Sequence, residues 1–192
     1  SKGSLYQSGI TVPFIISGPD VVNPNRISDA MVNTADIFAT VLEMFGDTNW
    51  QSQIPTTIVD SHSLMPILQN TATTTRPWAF SEVFRTTPLA SDGKTIRNTT
   101  YKLIRFTNGT EKLFNLTLDP SENINLLNTT LSVTDVNNYT YLCNEMFNLV
   151  GNGIACMALN TDAFLNTNEV FVIENPFKST IVINNSTKED LF

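Results

Sequence analysis

The spacing of apolar residues turns from helical to strand-like at Trp78, and that change constrains the fold more than any other feature. Upstream, Ile37, Phe38, Val41, Leu42 and Phe45 recur at helical spacing, and these residues are expected to face inward. Asn33 or Thr34 is placed to cap that helix, Asp36 lies in its first turn and Gly46 ends it. Downstream, apolar residues alternate in four short runs, 78–84, 94–97, 101–106 and 112–116, the pattern of half-buried strands. Thr107-Asn108-Gly109-Thr110 reads as a hairpin turn, because Asn-Gly tolerates the positive φ of a tight turn. Four sequential strands with close connections predict an antiparallel sheet. A helix over 133–149 follows, burying Val136, Tyr139, Leu142, Cys143, Met146 and Phe147 and stopped by Gly151-Asn152-Gly153.

Residues 11–17 read as a buried strand ended by Gly18-Pro19, and residues 61–69 as a short helix with Leu64, Ile67 and Leu68 inward. Residues 169–174 and 179–184 read as a further strand pair. The predicted class is α/β with an α+β C-terminal subdomain, in which a four-stranded antiparallel sheet packs on a helix. The run 12–17, Val-Pro-Phe-Ile-Ile-Ser, is of the kind covered on both faces in an α/β sheet, so residues 1–70 are expected to need further chain for stability.

Composition excludes several functions. The 192 residues carry a net charge of −7, and a pI near 4.5 removes the attraction on which nucleic-acid binding rests. No apolar run approaches the ~18–20 residues of a membrane span. One histidine and two cysteines exclude two-histidine and four-cysteine metal motifs within the chain. Ser1-Lys2-Gly3-Ser4 has no methionine start and runs straight into an apolar stretch, as though cut from inside a longer protein. Asn and Thr number 22 and 26, so the seven Asn-X-Ser/Thr sites are weak evidence of glycosylation, although an uncharged polar surface suits an exported protein.

Four stretches, in order, resemble the sulfatase family. Lys2-Gly3-Ser4-Leu5-Tyr6-Gln7-Ser8-Gly9-Ile10-Thr11-Val12-Pro13 is similar to its "KGTLYEGGIRVP" segment, and Val32-Asn33-Thr34-Ala35-Asp36-Ile37-Phe38 to its "VNTVDLFPTLLELAG" helix. Ser63-Leu64-Met65-Pro66-Ile67-Leu68 resembles its "SLLPLL" turn. Tyr101-Lys102-Leu103-Ile104-Arg105, Glu111-Lys112-Leu113-Phe114-Asn115-Leu116, Asp119-Pro120, Glu122 and Asn125-Leu126-Leu127 resemble its closing hairpin. The resemblance implies that residues 1–75 are the end of the sulfatase α/β catalytic domain, 76–153 its C-terminal subdomain and 154–192 a linker. It also implies a parent enzyme that uses a formylglycine nucleophile and calcium, whose partner is the N-terminal part of the same sulfatase. The formylglycine motif C/S-X-P-X-R is not in this chain, and the family's metal carboxylates lie upstream of its Lys-Gly, so this chain is expected to supply no metal ligand and to be inactive alone.

On that basis Lys2 matches the lysine that contacts a sulfate oxygen, where a fixed ammonium stabilises charge developing as the S–O bond breaks. Histidine is a usual proton donor near neutral pH, so His62 is either a substrate contact or an ordinary loop residue. Glu82 and Arg85 are candidates for the substrate's sugar or aryl group, or are strand charges, with Glu82 paired to Arg97 across the sheet. Gln7, Ser8 and Thr11 depart from the family's frequent Glu, Gly and Arg, which leaves substrate preference open. Cys143 and Cys156, 13 residues apart, are either reduced core cysteines or a disulfide, to which export inclines the reading. In the tail, 172–183 is similar to the "YPNPF.N.ITI" opening of a type IX secretion sorting domain, implying a bacterial protein that is secreted or held at the cell surface. The expected function is hydrolysis of a sulfated carbohydrate or aryl sulfate. The rival readings are a phosphonate or phosphodiester hydrolase of the alkaline phosphatase superfamily and a non-catalytic carbohydrate-binding or anchoring fragment.

Overall fold

The computed structural model describes residues 2–54 and 59–151. The chain divides into two units, Ser1–Met157 and Ala158–Phe192, and the described residues belong to the first. The strands expected at 169–174 and 179–184 and the sorting-domain resemblance lie outside the described residues.

The alternating stretch forms a four-stranded antiparallel sheet in chain order, β1 (Ala79–Val83), β2 (Gly93–Arg97), β3 (Tyr101–Phe106) and β4 (Glu111–Asn115). Gly109, at φ +84°, turns β3 into β4, and Phe106 N–H closes the loop on the Thr110 carbonyl at 2.9 Å. Gly93 opens β2 at φ +154°, where a Cβ would lie 2.1 Å from the Arg105 carbonyl oxygen, so only glycine lets β2 approach β3 so closely.

The register sorts the side chains onto two faces, because successive residues of a strand point to opposite sides. Phe80, Glu82, Lys94, Ile96, Tyr101, Leu103, Arg105, Glu111 and Leu113 share one face, and Ser81, Val83, Thr95, Arg97, Lys102, Ile104, Lys112 and Phe114 the other. The helix α4 (Val133–Val150) covers the first face. Ser132 and Asp135 cap it reciprocally. Its buried Tyr139, Leu142, Cys143 and Met146 pack inward. Tyr101 Oη donates to Asp135 Oδ1 at 2.7 Å, Tyr139 Oη to Glu111 Oε2 at 2.5 Å and Trp78 Nε1 to Glu145 Oε2 at 3.0 Å. Burial raises the Tyr101 pKa, and the Asp135 carboxylate adds to the rise. The second face is covered by the chain's first residues.

Residues 11–45 differ from expectation in two respects. Residues 11–17 form no strand: no strand lies beside them among the described residues, so their backbone groups lack a ladder and Ile15 is 90% exposed. The helix α2 (Asp36–Met44) does form, with Asn33 Oδ1 accepting the Ala35 N–H and Asp36 Oδ2 accepting the Asn33 N–H. Its buried residues, however, are Asp36, Ala39 and Thr40, while Ile37, Val41 and Phe45 are exposed and Phe38 is half exposed, edge-on to Trp50. The inward face is set by polar stitches to the chain ahead of α3 (Met65–Leu68). Ser61 Oγ bridges Ala39 N–H and the Ala35 carbonyl, and Thr40 Oγ1 accepts the Leu64 N–H at 2.9 Å. The helix expected over 61–69 shortens to the four residues of α3, with Pro66 in its first turn. Its Leu64, Ile67 and Leu68 are buried as expected, against Ile16, Val21, Ala30 and Val32.

Candidate functional site

Lys2 is exposed, and the chain just after it is fastened to the sheet's second face. Leu5, 1% exposed, packs on Ile104 and Phe114, a burial worth ~1.5–3 kcal/mol for a side chain of this size. Lys112 Nζ donates to Tyr6 Oη at 2.8 Å. The short helix α1 (Gln7–Ile10) begins where Gln7 N–H donates to Glu122 Oε2 at 2.5 Å. Beneath it, Lys102 Nζ lies 2.6 Å from Glu122 Oε1 and donates to Gln7 Oε1 at 3.3 Å. Burial pushes the Lys102 ammonium down to about 8, against the hydrogen bond and charge of Glu122. Burial likewise lowers the Arg97 guanidinium, opposed by Glu122.

Arg85 is also brought to this segment. Its Nη2 donates to the Gly3 carbonyl at 2.7 Å, and its Nη1 is paired with Asp92. The backbone N–H of Leu89 lowers the Asp92 pKa most, with Arg85 contributing against the effect of burial.

The other sequence candidates stand apart. Glu82 is on the face that α4 covers, opposite to the Lys2 segment, and Lys94 is its cross-strand neighbour rather than the expected Arg97, which faces Ala79. His62 belongs to a structural cluster. Its N–H donates to Asp36 Oδ1 at 3.0 Å and its Nδ1 lies 3.1 Å from Arg76 Nη2. A guanidinium only donates, so Nδ1 is the acceptor in that contact. The fully buried Arg76 also pairs with Asp36 at 2.5 Å and reaches the Asp60 carbonyl at 3.0 Å. Cys143 is disulfide-bonded, and its expected partner Cys156 lies outside the described residues.

A cavity of about 570 Å³ opens beside the second face, lined in part by Gln7, Thr11, Phe14, Asn33, Ser81 and Arg97. Gln7 and Thr11 were singled out by their departure from the family pattern. Arg97 and the Lys102–Glu122 pair were not. A signal existed for Lys102, which shares an inward strand face with Ile104 and Phe106, where a lysine demands a buried partner. Glu122, at φ +56° in a loop, is among the residues that resemble the family's closing hairpin, but nothing in its local sequence pairs it with Lys102.

No group of three His, Cys, Asp or Glu residues among those described could hold a metal ion. No helix among the described residues is long and apolar enough to cross a membrane.

Residues 1–146 match the family described as N-sulphoglucosamine sulphohydrolase, C-terminal. No curated protein sequence matches significantly. Among solved structures, a sulfatase candidate from Bacteroides thetaiotaomicron VPI-5482 shares 21% identity at a TM-score of 0.60, over 76% of this chain and 31% of that one. The sulfatase candidate yidJ from Bacteroides fragilis shares 20% identity at a TM-score of 0.50, over 68% of this chain and 28% of that one. The chain thus spans less than a third of either solved protein, and the likeness is one of fold.

Proposed function

The chain belongs to the N-sulphoglucosamine sulphohydrolase C-terminal family, and we propose that it works as the C-terminal portion of an exported sulfatase that hydrolyses a sulfated carbohydrate. The observation that carries this reading is the family match together with the fastening of the Lys2 segment: Leu5, Tyr6 and Gln7 are held on the sheet while Lys2 is left exposed. An ammonium held by a rigid neighbour can stabilise negative charge as it grows on the sulfate oxygens, without reorganising during the step. A single point charge suffices for that role. The family description favours a sulfated amino sugar over an aryl sulfate.

The exposed apolar surface of residues 11–45 supports a partner within the same enzyme. Val12, Phe14, Ile15, Ile37, Phe38 and Phe45 form the kind of surface that an N-terminal α/β domain would cover. The nucleophile and any metal ligands would come from that partner domain. The tail's likeness to a sorting domain supports export.

The test is an assay of the full-length enzyme on a panel of sulfated sugars, aryl sulfates and phosphodiesters. Lys2→Ala is expected to lower kcat/KM on a sulfated sugar by ~10²–10³, the loss of one donor to a developing oxyanion. His62→Ala should cost under ~10-fold, because its ring is engaged by Arg76. Turnover of phosphodiesters alone, or a larger loss at His62 than at Lys2, would overturn the assignment.

A further inference from the structure

Gly3 sits at φ +79°, in the left-handed region, and glycine's freedom there means that nothing in the local backbone fixes the residue before it. Leu5 anchors the chain two residues further on, but the turn between leaves Lys2 free to swing unless Gly3 itself is held. The loop between β1 and β2 supplies a hold from 82 positions away. That loop is folded around one carboxylate. Asp92, 1% exposed, accepts the backbone N–H of Leu89 at 3.1 Å and of Arg85 at 3.3 Å. Its own carbonyl takes the Thr107 N–H at 2.9 Å, which ties it to the end of β3. Asp92 Oδ1 then holds Nη1 of Arg85, and this grip aims Nη2 at the Gly3 carbonyl, 2.7 Å away. A guanidinium suits this geometry because its two terminal nitrogens diverge in one plane, so one can be held while the other holds.

We propose that Arg85, gripped by Asp92, is a positioning residue for Lys2. It fixes the Gly3 carbonyl, and with it the backbone from which the Lys2 ammonium is presented. The inference rests on the sulfatase reading of Lys2, and it replaces a direct substrate contact for Arg85 with an action through the neighbouring turn.

The test is a double-mutant cycle in the full-length enzyme. Arg85→Ala should lower kcat by ~10–100-fold with KM nearly unchanged, the scale of a small misplacement of a catalytic group. In the Lys2→Ala background the same change should cost less than ~2-fold, because a residue acting through Lys2 has nothing left to position. Arg85→Lys should recover part of the loss. Hydrogen exchange gives a readout independent of activity: Arg85→Ala should speed exchange over residues 3–6 and leave residues 101–106 as they are. Should Arg85→Ala fail to fold, Arg85→Met removes the same bond while keeping the aliphatic stem, with the same expectations. Additive losses with Lys2→Ala, a rise in KM alone, or unchanged exchange over residues 3–6 would each overturn the proposal. A wild-type enzyme inactive on every sulfated substrate would overturn the functional reading instead, and the exchange comparison would then decide the Arg85 contact.

Discussion

On the four-stranded sheet, Ile96, Leu103, Ile104 and Leu113 are each shielded to 0% exposure, whereas upstream Ile15, Ile27 and Phe45 are 90%, 95% and 87% exposed. The two regions draw on the same kinds of residue. They differ in where the covering surface comes from. The sheet finds it close by, with α4 on one face and Leu5 and Tyr6 on the other, so the strands β2, β3 and β4 are largely buried within the described chain. Of the apolar stripe of α2, Phe38 meets the buried Trp50 edge-on at 5.5 Å yet stays half exposed, and the helix buries instead the small polar face that Ser61 and Leu64 can satisfy by hydrogen bonds. An apolar stripe thus states a demand for burial and does not say which surface meets it.

The largest expected effect breaks the sheet side of this contrast. Lys102→Met should destabilise the fold by ~1–3 kcal/mol in urea melts, because it leaves the buried Glu122 without the hydrogen-bond donor that the Lys102 amine supplies whether or not it is charged. Adding Glu122→Gln should recover part of that loss. A cost below ~1 kcal/mol for the single change would show that the pair does not hold α1 to the sheet.

An intermediate effect concerns pH. Lys102 in the fold titrates at about 8 against an ordinary 10.5, so in the window between them the unfolded chain binds a proton that the folded chain has released. Stability should therefore rise with pH from about 8 to 9.5 on account of this group. Tyr101 and Tyr141, raised by burial, act in the opposite sense only from about pH 10 upward. Melts at pH 7.5 and 9.5 should show the rise in the wild type and lose it in Lys102→Met, and an equal rise in both would refute the assignment.

The smallest effect sharpens the other side. In this chain alone Ile15→Ser should change stability by less than ~0.5 kcal/mol, as exposed positions do. In the full-length enzyme the same change should cost ~1.5–3 kcal/mol if a partner domain buries that side chain. Equal small costs in both would mean that the surface stays open.

Much of the sheet was legible beforehand. The 101–106 run matches β3 residue for residue, the Asn-Gly turn lies where expected, and α4 starts at Val133 as its spacing indicates. These depend on alternation, turn chemistry and capping, which act over a few residues. The candidate site was legible in part. Lys2 and Arg85 were both singled out, but the hydrogen bond through Gly3 joins positions 82 apart and leaves no local trace. For Glu82 the family resemblance offers a substrate contact and the strand pattern a surface charge, and the strand's period of two puts it on the face opposite the Lys2 segment, across from Lys94.

What the sequence by itself determined is the set of local periods and stops: four short strands, one tight turn and two longer helices, with ends placed to within about a residue or two. Tertiary structure alone decided which face of α2 turns inward, that no described strand pairs with residues 11–17, and that Lys102 meets Glu122 beneath Gln7. The physical reason is that backbone geometry is set by neighbours a few positions away, while burial and charge pairing require a second surface. Which surface arrives is settled by chain closure over tens of residues, and no short pattern encodes it.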